Sequence, residues 1–259
     1  MSTSTLHTHS LDAQLANCRD YWLGWGAPAG AGGPLTYFRS GIAEGQLNGV
    51  LRLTGTTTAE DSMAYARGQL SGLPWMWWVG PDSAPGTETA LTTCGAVRLG
   101  AMPIMALETD KADPAAAAPD DLRIETVTGE PALREWVATY TPSFGVPAGL
   151  RDDVARNEIA RPDSARITRF LGRRAGRPVA TALLYAAHGV AGVYVVTTAE
   201  DQRRQGIGTA LTAAALAAGR ERGLRLATLQ SSPDGFPVYR RMGFETVAEY
   251  GLYQFPTDD

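Results

Sequence analysis

Two kinds of hydrophobic spacing alternate along the second half of this chain. The apolar run 192–196 predicts a buried strand, and the residues from Ile207 to about Gly219 place alanine and leucine at helical spacing. A strand at 224–229 and a short helix at 233–242 follow, and Gly243 ends that helix. Further upstream the pattern predicts strands and helices in the order 122–127 (strand), 131–140 and 150–161 (helices), and 165–173 and 178–187 (strands). This order predicts an α+β fold with a mixed, mostly antiparallel sheet flanked by helices.

One segment interrupts the pattern and divides the chain. Residues 111–121 read KADPAAAAPDD and contain prolines, alanines and acidic residues without an apolar period. This composition is typical of an inter-domain linker. We therefore expect one domain at 1–110 and a second at 122–259.

The first half carries a weak copy of the second. Thr57-Thr58-Ala59-Glu60-Asp61 repeats as Thr197-Thr198-Ala199-Glu200-Asp201, and each copy follows a strand that begins with Gly-Val. Each also precedes a helix that ends in Gly-Leu, followed by a strand, Pro-Asp and a short helix. Landmarks in the same order predict two tandem copies of one domain. Since the first copy has residues 62–66 in place of a Gly-x-Gly loop, and Leu91 where the second has Tyr239, we expect it to be degenerate.

A phosphate-binding turn is predicted between the strand at 192–196 and its helix. Arg203-Arg204-Gln205-Gly206-Ile207-Gly208 opens the helix, where the first backbone N–H groups have no intrahelical partner and the helix dipole is positive. Glycines allow the backbone to approach a phosphate closely, and arginines neutralise its charge. The stretch lacks the third glycine of a dinucleotide fingerprint and the Gly-Lys-Ser/Thr of a P-loop.

A second motif lies downstream. Val238-Tyr239-Arg240-Arg241-Met242-Gly243-Phe244 matches Tyr-x-x-x-Gly-Phe, and Arg203, Gly206 and Gly208 match Arg/Gln-x-x-Gly-x-Gly/Ala. In this order, separated by one helix and one strand, the two motifs resemble the GNAT superfamily of acyl-CoA-dependent N-acetyltransferases. The resemblance covers residues 122–255 and implies the acyl-CoA N-acyltransferase fold.

The resemblance also implies a site. Its backbone N–H groups from Arg204 to Thr209 would hold the pyrophosphate of acetyl-CoA, and the pantetheine arm would lie along the strand at Val196 and Thr198. The N–H of Val196 is expected to polarise the thioester carbonyl. The implied cofactor-binding set is Val196, Thr197, Thr198, Arg203, Arg204, Gln205, Gly206, Ile207, Gly208 and Thr209.

Two catalytic groups remain to be assigned. The resemblance implies that Tyr239 is the general acid, and a phenol suits this role because it is protonated at neutral pH and can protonate a departing thiolate. The alternative is that its ring only packs under the sheet. No base is assigned, because the strand before the loop offers no carboxylate, and water or a distant group such as Glu125 stays open.

These residues favour an enzyme that moves acetyl from acetyl-CoA to a primary amine of a small molecule or peptide. A transferase of a larger acyl group and a non-catalytic CoA-binding sensor are the alternatives. A net charge of −4 argues against a general nucleic-acid binder, and two cysteines without CxxC spacing predict reduced thiols and no metal site. With no signal peptide evident, and with 178–196 better explained as a hairpin at His188-Gly189 than as a membrane span, we expect a cytoplasmic monomer or homodimer.

The end of the chain raises one further expectation. Only residues 245–259 follow Gly243-Phe244, enough for one long strand or a very tight pair of strands at 244–255, where the resembled family commonly has two strands. The missing strand could come from the first half of the chain.

Overall fold

A computed structural model describes residues 4–26, 33–55, 58–111 and 118–255. Within these ranges the helices are α1 (Ser4–Leu23), α2 (Ala59–Gln69), α3 (Thr87–Thr93), α4 (Gly129–Tyr140), α5 (Arg151–Ile159), α6 (Ile207–Glu221) and α7 (Phe236–Arg241). The strands are β1 (Leu35–Arg39), β2 (Asn48–Leu53), β3 (Met76–Val79), β4 (Val97–Glu108), β5 (Leu122–Thr126), β6 (Ile167–Arg174), β7 (Arg177–Ala187), β8 (Val190–Thr198), β9 (Leu226–Gln230) and β10 (Glu245–Gln254).

The chain forms two compact units. The larger unit contains residues 1–18 and 104–247, and the smaller unit contains residues 19–103 and 248–259. These ranges differ from the predicted domains, because residues 1–18 and 104–110 belong with the larger unit and 248–259 with the smaller. Most of the predicted linker, residues 112–117, lies outside the described residues.

In the larger unit the strand order is β4, β9, β8, β7, β6, β5. All neighbours are antiparallel except β8 and β9, which run parallel and are connected through α6. Residues 104–108 of β4 pair with β9, so a strand that precedes the linker completes this sheet. This is the strand that the sequence analysis expected from the first half.

Two tight hairpins build the antiparallel part. Ala175-Gly176 and His188-Gly189 all have positive φ, the geometry of two-residue turns whose twist matches the strands they join. The turn predicted at His188-Gly189 is therefore confirmed. The apolar run 178–196 forms β7 and β8, and none of the described helices is both long and apolar enough to span a membrane.

Helix α6 packs on one face of this sheet. Ile207, Leu211, Ala215 and Leu216 are fully buried at helical spacing. Each buried leucine contributes about 1.5–3 kcal/mol. A side chain at Gly219 would come within 3.0 Å of the Ala191 Cβ, so this glycine lets the helix approach β8 closely.

The opposite face carries α4 and polar anchors. Trp136 is fully buried, and its indole N–H donates to the Phe170 carbonyl at 3.0 Å. Beneath it, the Arg169 guanidinium forms an ion pair with the buried Glu158 carboxylate.

The smaller unit repeats the central part of this architecture. Its strand order is β1, β2, β3, β10, and β2 and β3 are parallel and connected through α2. Trp77 of β3 packs against Trp75, while Trp78 contacts Trp22 and Tyr250 on the other face of the strand. A strand–helix–strand unit with a parallel pair in each half agrees with two tandem copies of one fold.

Candidate active site

The site is built around an irregularity in β8. The pairing with β7 shifts register between Thr181 and Leu183, and Val195 opposite this shift has φ +51°. A positive φ is sterically unfavourable for a β-branched residue, so neighbouring contacts must hold it. The Thr181 hydroxyl donates to the Val195 carbonyl at 2.7 Å and lies 2.8 Å from the Thr197 hydroxyl. A buried threonine on the adjacent strand thus stabilises the bulge.

β8 and β9 separate before the chain reaches this bulge. The two strands pair only from Val190 to Gly192, with Gly192 opposite Thr228. The described residues of β8 after Gly192 pair with β7 alone, so one edge of 193–198 presents unpaired backbone groups. Such an edge accepts another extended chain.

The three predicted residues on β8 occupy different environments. Val196 is half-buried and packs against the core cluster of the α6 face. Thr197 is buried on the opposite face, against Thr181. The Thr198 carbonyl accepts a hydrogen bond from the Arg203 guanidinium at 3.3 Å, which ties the strand end to the loop.

The loop before α6 has the geometry of an anion site. Arg204 has φ +61° and Gly206 has φ +79°, so the backbone makes a tight left-handed turn into the helix. Gly206 is the N-cap and supplies no side-chain acceptor, and the first turn of α6 contains no acidic residue. The first intrahelical bond runs from the Ala210 N–H to the Gly206 carbonyl at 3.0 Å. The N–H groups of residues 207–209 therefore have no intrahelical acceptor.

The side chains of the predicted loop residues have distinct roles. Arg203 and Arg204 are exposed, and Ile207 is buried in the core, so Ile207 can offer a ligand only its backbone. The Arg174 guanidinium donates to the side-chain oxygen of Gln205 at 2.5 Å and to that of Gln202 at 2.8 Å. Gln205 therefore shapes the loop through Arg174, a residue that sequence reasoning missed.

Gly206 and Gly208 are glycine for different reasons. The positive φ of Gly206 disfavours any other residue. At Gly208 an added Cβ would meet only the Thr198 hydroxyl, at 3.6 Å, which is ordinary van der Waals contact. Alanine therefore fits at the second position without displacing protein atoms.

Tyr239 lies in α7, where the motif predicted it. Its ring packs edge-to-face on Phe244 with centroids 5.8 Å apart, and burial raises the pKa of its hydroxyl to about 12. A Cβ at Gly235 would lie 2.9 Å from the Tyr239 ring, so this glycine makes room for the ring. The hydroxyl has no hydrogen-bond acceptor among the described residues, and Tyr239 and Val196 both pack into the same core cluster.

Neither a base nor a metal site emerges from the strands at the site. β8 and β9 contain no acidic residue. Glu125 pairs with Arg173 at 2.7 Å, which commits its carboxylate to an ion pair. In the part of the chain that the structure describes, no three metal-ligating side chains cluster, and Cys18 and Cys94 are free thiols.

Comparisons with known proteins agree with this geometry. The sequence model of the acetyltransferase (GNAT) family matches residues 131–244. Among solved structures, a GCN5-related N-acetyltransferase from Kribbella flavida has a TM-score of 0.73 at 23% identity, with 96% of each chain covered. A GCN5-related N-acetyltransferase from Sphaerobacter thermophilus has a TM-score of 0.61 at 18% identity, with 77% of this chain and 68% of that chain covered.

A two-domain relative extends the likeness to both units. A tandem GNAT protein from the clavulanic acid biosynthesis pathway covers 96% of this chain and 97% of its own, with a TM-score of 0.61 at 15% identity. No match is found among curated proteins. At these identities the solved structures show the fold, and the matched segment shows the family. The chain therefore carries a domain of the GNAT acetyltransferase family, at residues 131–244, within a fold that it shares with tandem GNAT proteins.

Proposed function

We propose that this protein transfers the acetyl group of acetyl-CoA to a primary amine of a small molecule or peptide in the cytoplasm. The predicted domain at 122–259 would bind the cofactor, and the degenerate domain at 1–110 would not. The protein would act as a monomer or homodimer.

The observation that carries the proposal is the juxtaposition of a bare helix end and an unpaired strand edge. The start of α6 has a glycine cap, free amides and no acidic residue, with Arg203 and Arg204 beside it. A pyrophosphate is the ligand chemistry that these groups favour. The edge of β8 that leads to this turn can pair with the amide-containing pantetheine arm as a substitute strand.

Acetyl-CoA would supply an activated acyl group, and the chain would supply polarisation and a proton. The N–H of Val196, which directly follows the bulge at Val195, would donate to the thioester carbonyl and stabilise the developing oxyanion. The amine nitrogen then bonds to the carbonyl carbon, and the carbon–sulfur bond breaks.

Tyr239 would donate its hydroxyl proton to the departing thiolate. Burial raises the pKa of Tyr239 to about 12, and an apolar environment raises the pKa of a thiol as well, so the proton moves between two similarly affected groups. The absence of an acceptor for this hydroxyl among the described residues leaves it available to sulfur.

The amine must reach the site neutral. Because β8 and β9 offer no carboxylate, water would take its proton. This requirement favours amine acceptors whose pKa is depressed, or else a reaction whose pH optimum is alkaline.

Two measurements on the intact protein test the proposal. Calorimetry with CoA should register binding, and free thiol should be released from acetyl-CoA in the presence of a panel of polyamines, amino acids, aminoglycosides and peptides. Binding without turnover on any amine would favour a sensor, and faster turnover with a longer acyl-CoA would favour the larger-acyl alternative. No affinity for CoA in folded protein would overturn the assignment.

A further inference from the structure

The first residues of the larger unit, in α1, contact the place where β8 and β9 part. Gln14, Asn17 and Cys18 are buried and share one face of the helix, at spacings of three and four. They lie outside residues 131–244, where the family model matches.

Asn17 links helix α1 to both strands of the β7–β8 hairpin. Its side-chain amide lies 3.2, 3.1 and 3.0 Å from the carbonyls of Tyr185, Ala187 and Val190, which share its two hydrogens. Its side-chain oxygen accepts from the Tyr194 hydroxyl at 2.7 Å. One buried amide therefore connects the turn end of the hairpin with Tyr194, at the start of the segment of β8 that has separated from β9.

The same face of α1 covers both members of the last β8–β9 pair. A Cβ on Gly192 would lie 2.2 Å from the Asn17 side-chain oxygen and 2.4 Å from the Tyr194 ring, so these two side chains fill the space above Gly192. Opposite it, the Thr228 hydroxyl donates to the Gln14 side-chain oxygen at 3.0 Å. Two residues further along β9, the Cys18 thiol donates to the Gln230 side chain at 3.3 Å.

We propose that Asn17 is a positioning residue for the cofactor slot, fixing β8 against α1 so that β8 and β9 stay apart. The proposal rests on the proposed use of the β8 edge by acetyl-CoA. An unpaired strand edge tends to form hydrogen bonds with another strand. Without Asn17, we therefore expect β8 and β9 to continue their parallel pairing past Gly192, which would close the gap between them that the cofactor needs. Asn17 acts through the strands and does not touch the cofactor.

The smaller unit offers a matched control. Asn48 is also fully buried, and its amide lies 2.8, 3.1 and 3.1 Å from the carbonyls of Ile42, Glu44 and Pro74. Its side-chain oxygen accepts from the backbone N–H of Ser40 at 3.0 Å. Asn48→Leu thus removes a comparable set of hydrogen bonds from the unit that would not bind cofactor.

The experiment compares CoA affinity by calorimetry with thermal stability in the full-length protein. We expect Asn17→Leu and Asn48→Leu to lower Tm to a similar extent, and only Asn17→Leu to raise the Kd for CoA by about tenfold or more, with a matching rise in the KM for acetyl-CoA and a smaller change in kcat. Tyr194→Phe removes one hydroxyl, keeps the ring over Gly192, and should raise the Kd by about threefold while the protein remains folded.

Wild-type affinity for CoA in both Asn17→Leu and Tyr194→Phe overturns the inference, as does an equal loss of affinity in Asn48→Leu. If Asn17→Leu does not fold, Tyr194→Phe decides the question. A wild-type protein that binds no CoA overturns the proposed function and this inference together, whereas wild-type binding with unaffected variants overturns the inference alone.

Discussion

The two units begin their central helices in opposite ways. In the larger unit, α6 starts at Gly206 without a side-chain cap and without an acid in its first turn. In the smaller unit, the Thr58 hydroxyl caps α2 by accepting from the Asp61 N–H at 3.1 Å, and Glu60 and Asp61 occupy the first turn. An acid-rich, capped helix start is stable by itself and repels phosphate, whereas the α6 start gains from binding an anion. The same scaffold thus leaves the start of its central helix open to an anion in one unit and occupies it with a side-chain cap and acidic residues in the other.

The strand pairs differ in the same sense. β2 and β3 also separate early, since they pair only at Gly49–Met76 and Val50–Trp77. In this unit, however, the Leu53 carbonyl accepts the Ala84 N–H at 2.8 Å, so the chain itself occupies the edge of β2. The corresponding edge of β8 carries no such partner from β9. The smaller unit keeps the opening between its parallel strands, but its own loop supplies a hydrogen-bond partner for the edge of β2.

The strongest way to break this comparison is to remove the first half. A truncated protein that begins at Pro119 loses Asn17 and the 104–108 segment of β4, which leaves the β9 edge uncovered. Because an exposed edge pairs with other molecules, we expect this protein to be insoluble or unstable. A protein that begins at Leu11 keeps these contacts and should remain soluble. A well-folded protein from Pro119 would show that the larger unit needs neither contact.

Much of this fold follows from local sequence, for identifiable reasons. The hairpin at His188-Gly189, the helix from Ile207 and the long last strand all come from strong periodicity or turn chemistry. Helix α1 was missed because the polar start of the chain hides the helical spacing of Leu11, Leu15 and Cys18, the last two of which are buried. Pairing of β4 with β9 connects residues more than a hundred positions apart, which no local pattern encodes.

The candidate site likewise contains residues that local motifs predict and residues that act across strands, which no local motif predicts. Gly206, Gly208 and Tyr239 belong to motifs, and the structure places them at the helix start and in α7 as expected. Thr181 and Arg174 act on the bulge and the loop across strands. The only sequence signal for Thr181 is a polar residue inside the apolar run of β7.

A large effect is expected at the residue that the smaller unit lacks. Tyr239→Phe keeps the ring that packs on Phe244 and removes the proposed proton donor. We expect kcat to fall by about 10²–10⁴-fold with little change in the KM for acetyl-CoA, because general acid catalysis contributes this much. Steady-state kinetics on the best amine measures both. Tyr253→Phe, a buried tyrosine of the smaller unit, is the control and should leave kcat unchanged; unchanged turnover in Tyr239→Phe would reduce Tyr239 to a packing residue.

The charge difference between the two helix starts can be transferred. Gly208→Asp places a carboxylate in the first turn of α6, as Asp61 does in α2. Two like charges about 5 Å apart at an effective dielectric of about 20 repel by about 3 kcal/mol, so the Kd for CoA should rise roughly a hundredfold.

The same change should not harm folding, because an acid near a helix start is favourable. Gly208→Ala is the matched control: its Cβ meets only the Thr198 hydroxyl at 3.6 Å, so affinity should stay within about threefold and stability should rise by up to about 1 kcal/mol. Calorimetry and thermal unfolding report the two quantities. Equal affinity in the aspartate and alanine variants would mean that the α6 start does not hold phosphate.

The pH dependence of turnover tests whether the larger unit supplies a general acid but no general base. Burial raises the pKa of Tyr239 to about 12, so its acid form persists from pH 7 to pH 10 and kcat should not fall in that range. Since no carboxylate on β8 or β9 can take the proton of the amine, kcat/KM should rise about tenfold per pH unit up to the pKa of the acceptor. A pH–rate profile on two amines of different pKa checks this. A plateau at the same pH for both amines would reveal a base in the protein.

The smallest effect is expected at the start of α2, where a side chain of the smaller unit caps the helix. Thr58→Ala removes the cap of α2 and should lower the free energy of unfolding by about 1 kcal/mol, because an uncapped N–H loses its acceptor. The Kd for CoA should not change, since this helix start already carries Glu60 and Asp61 and would not bind phosphate. Chemical denaturation and calorimetry measure the two outcomes.

Thr93→Ala, which removes only a hydroxyl bonded to the Thr89 carbonyl, is the control and should change neither quantity by much. A loss of CoA affinity in Thr58→Ala alone would mean that the capped helix start contributes to cofactor binding, and the two units would then differ less than their helix starts indicate.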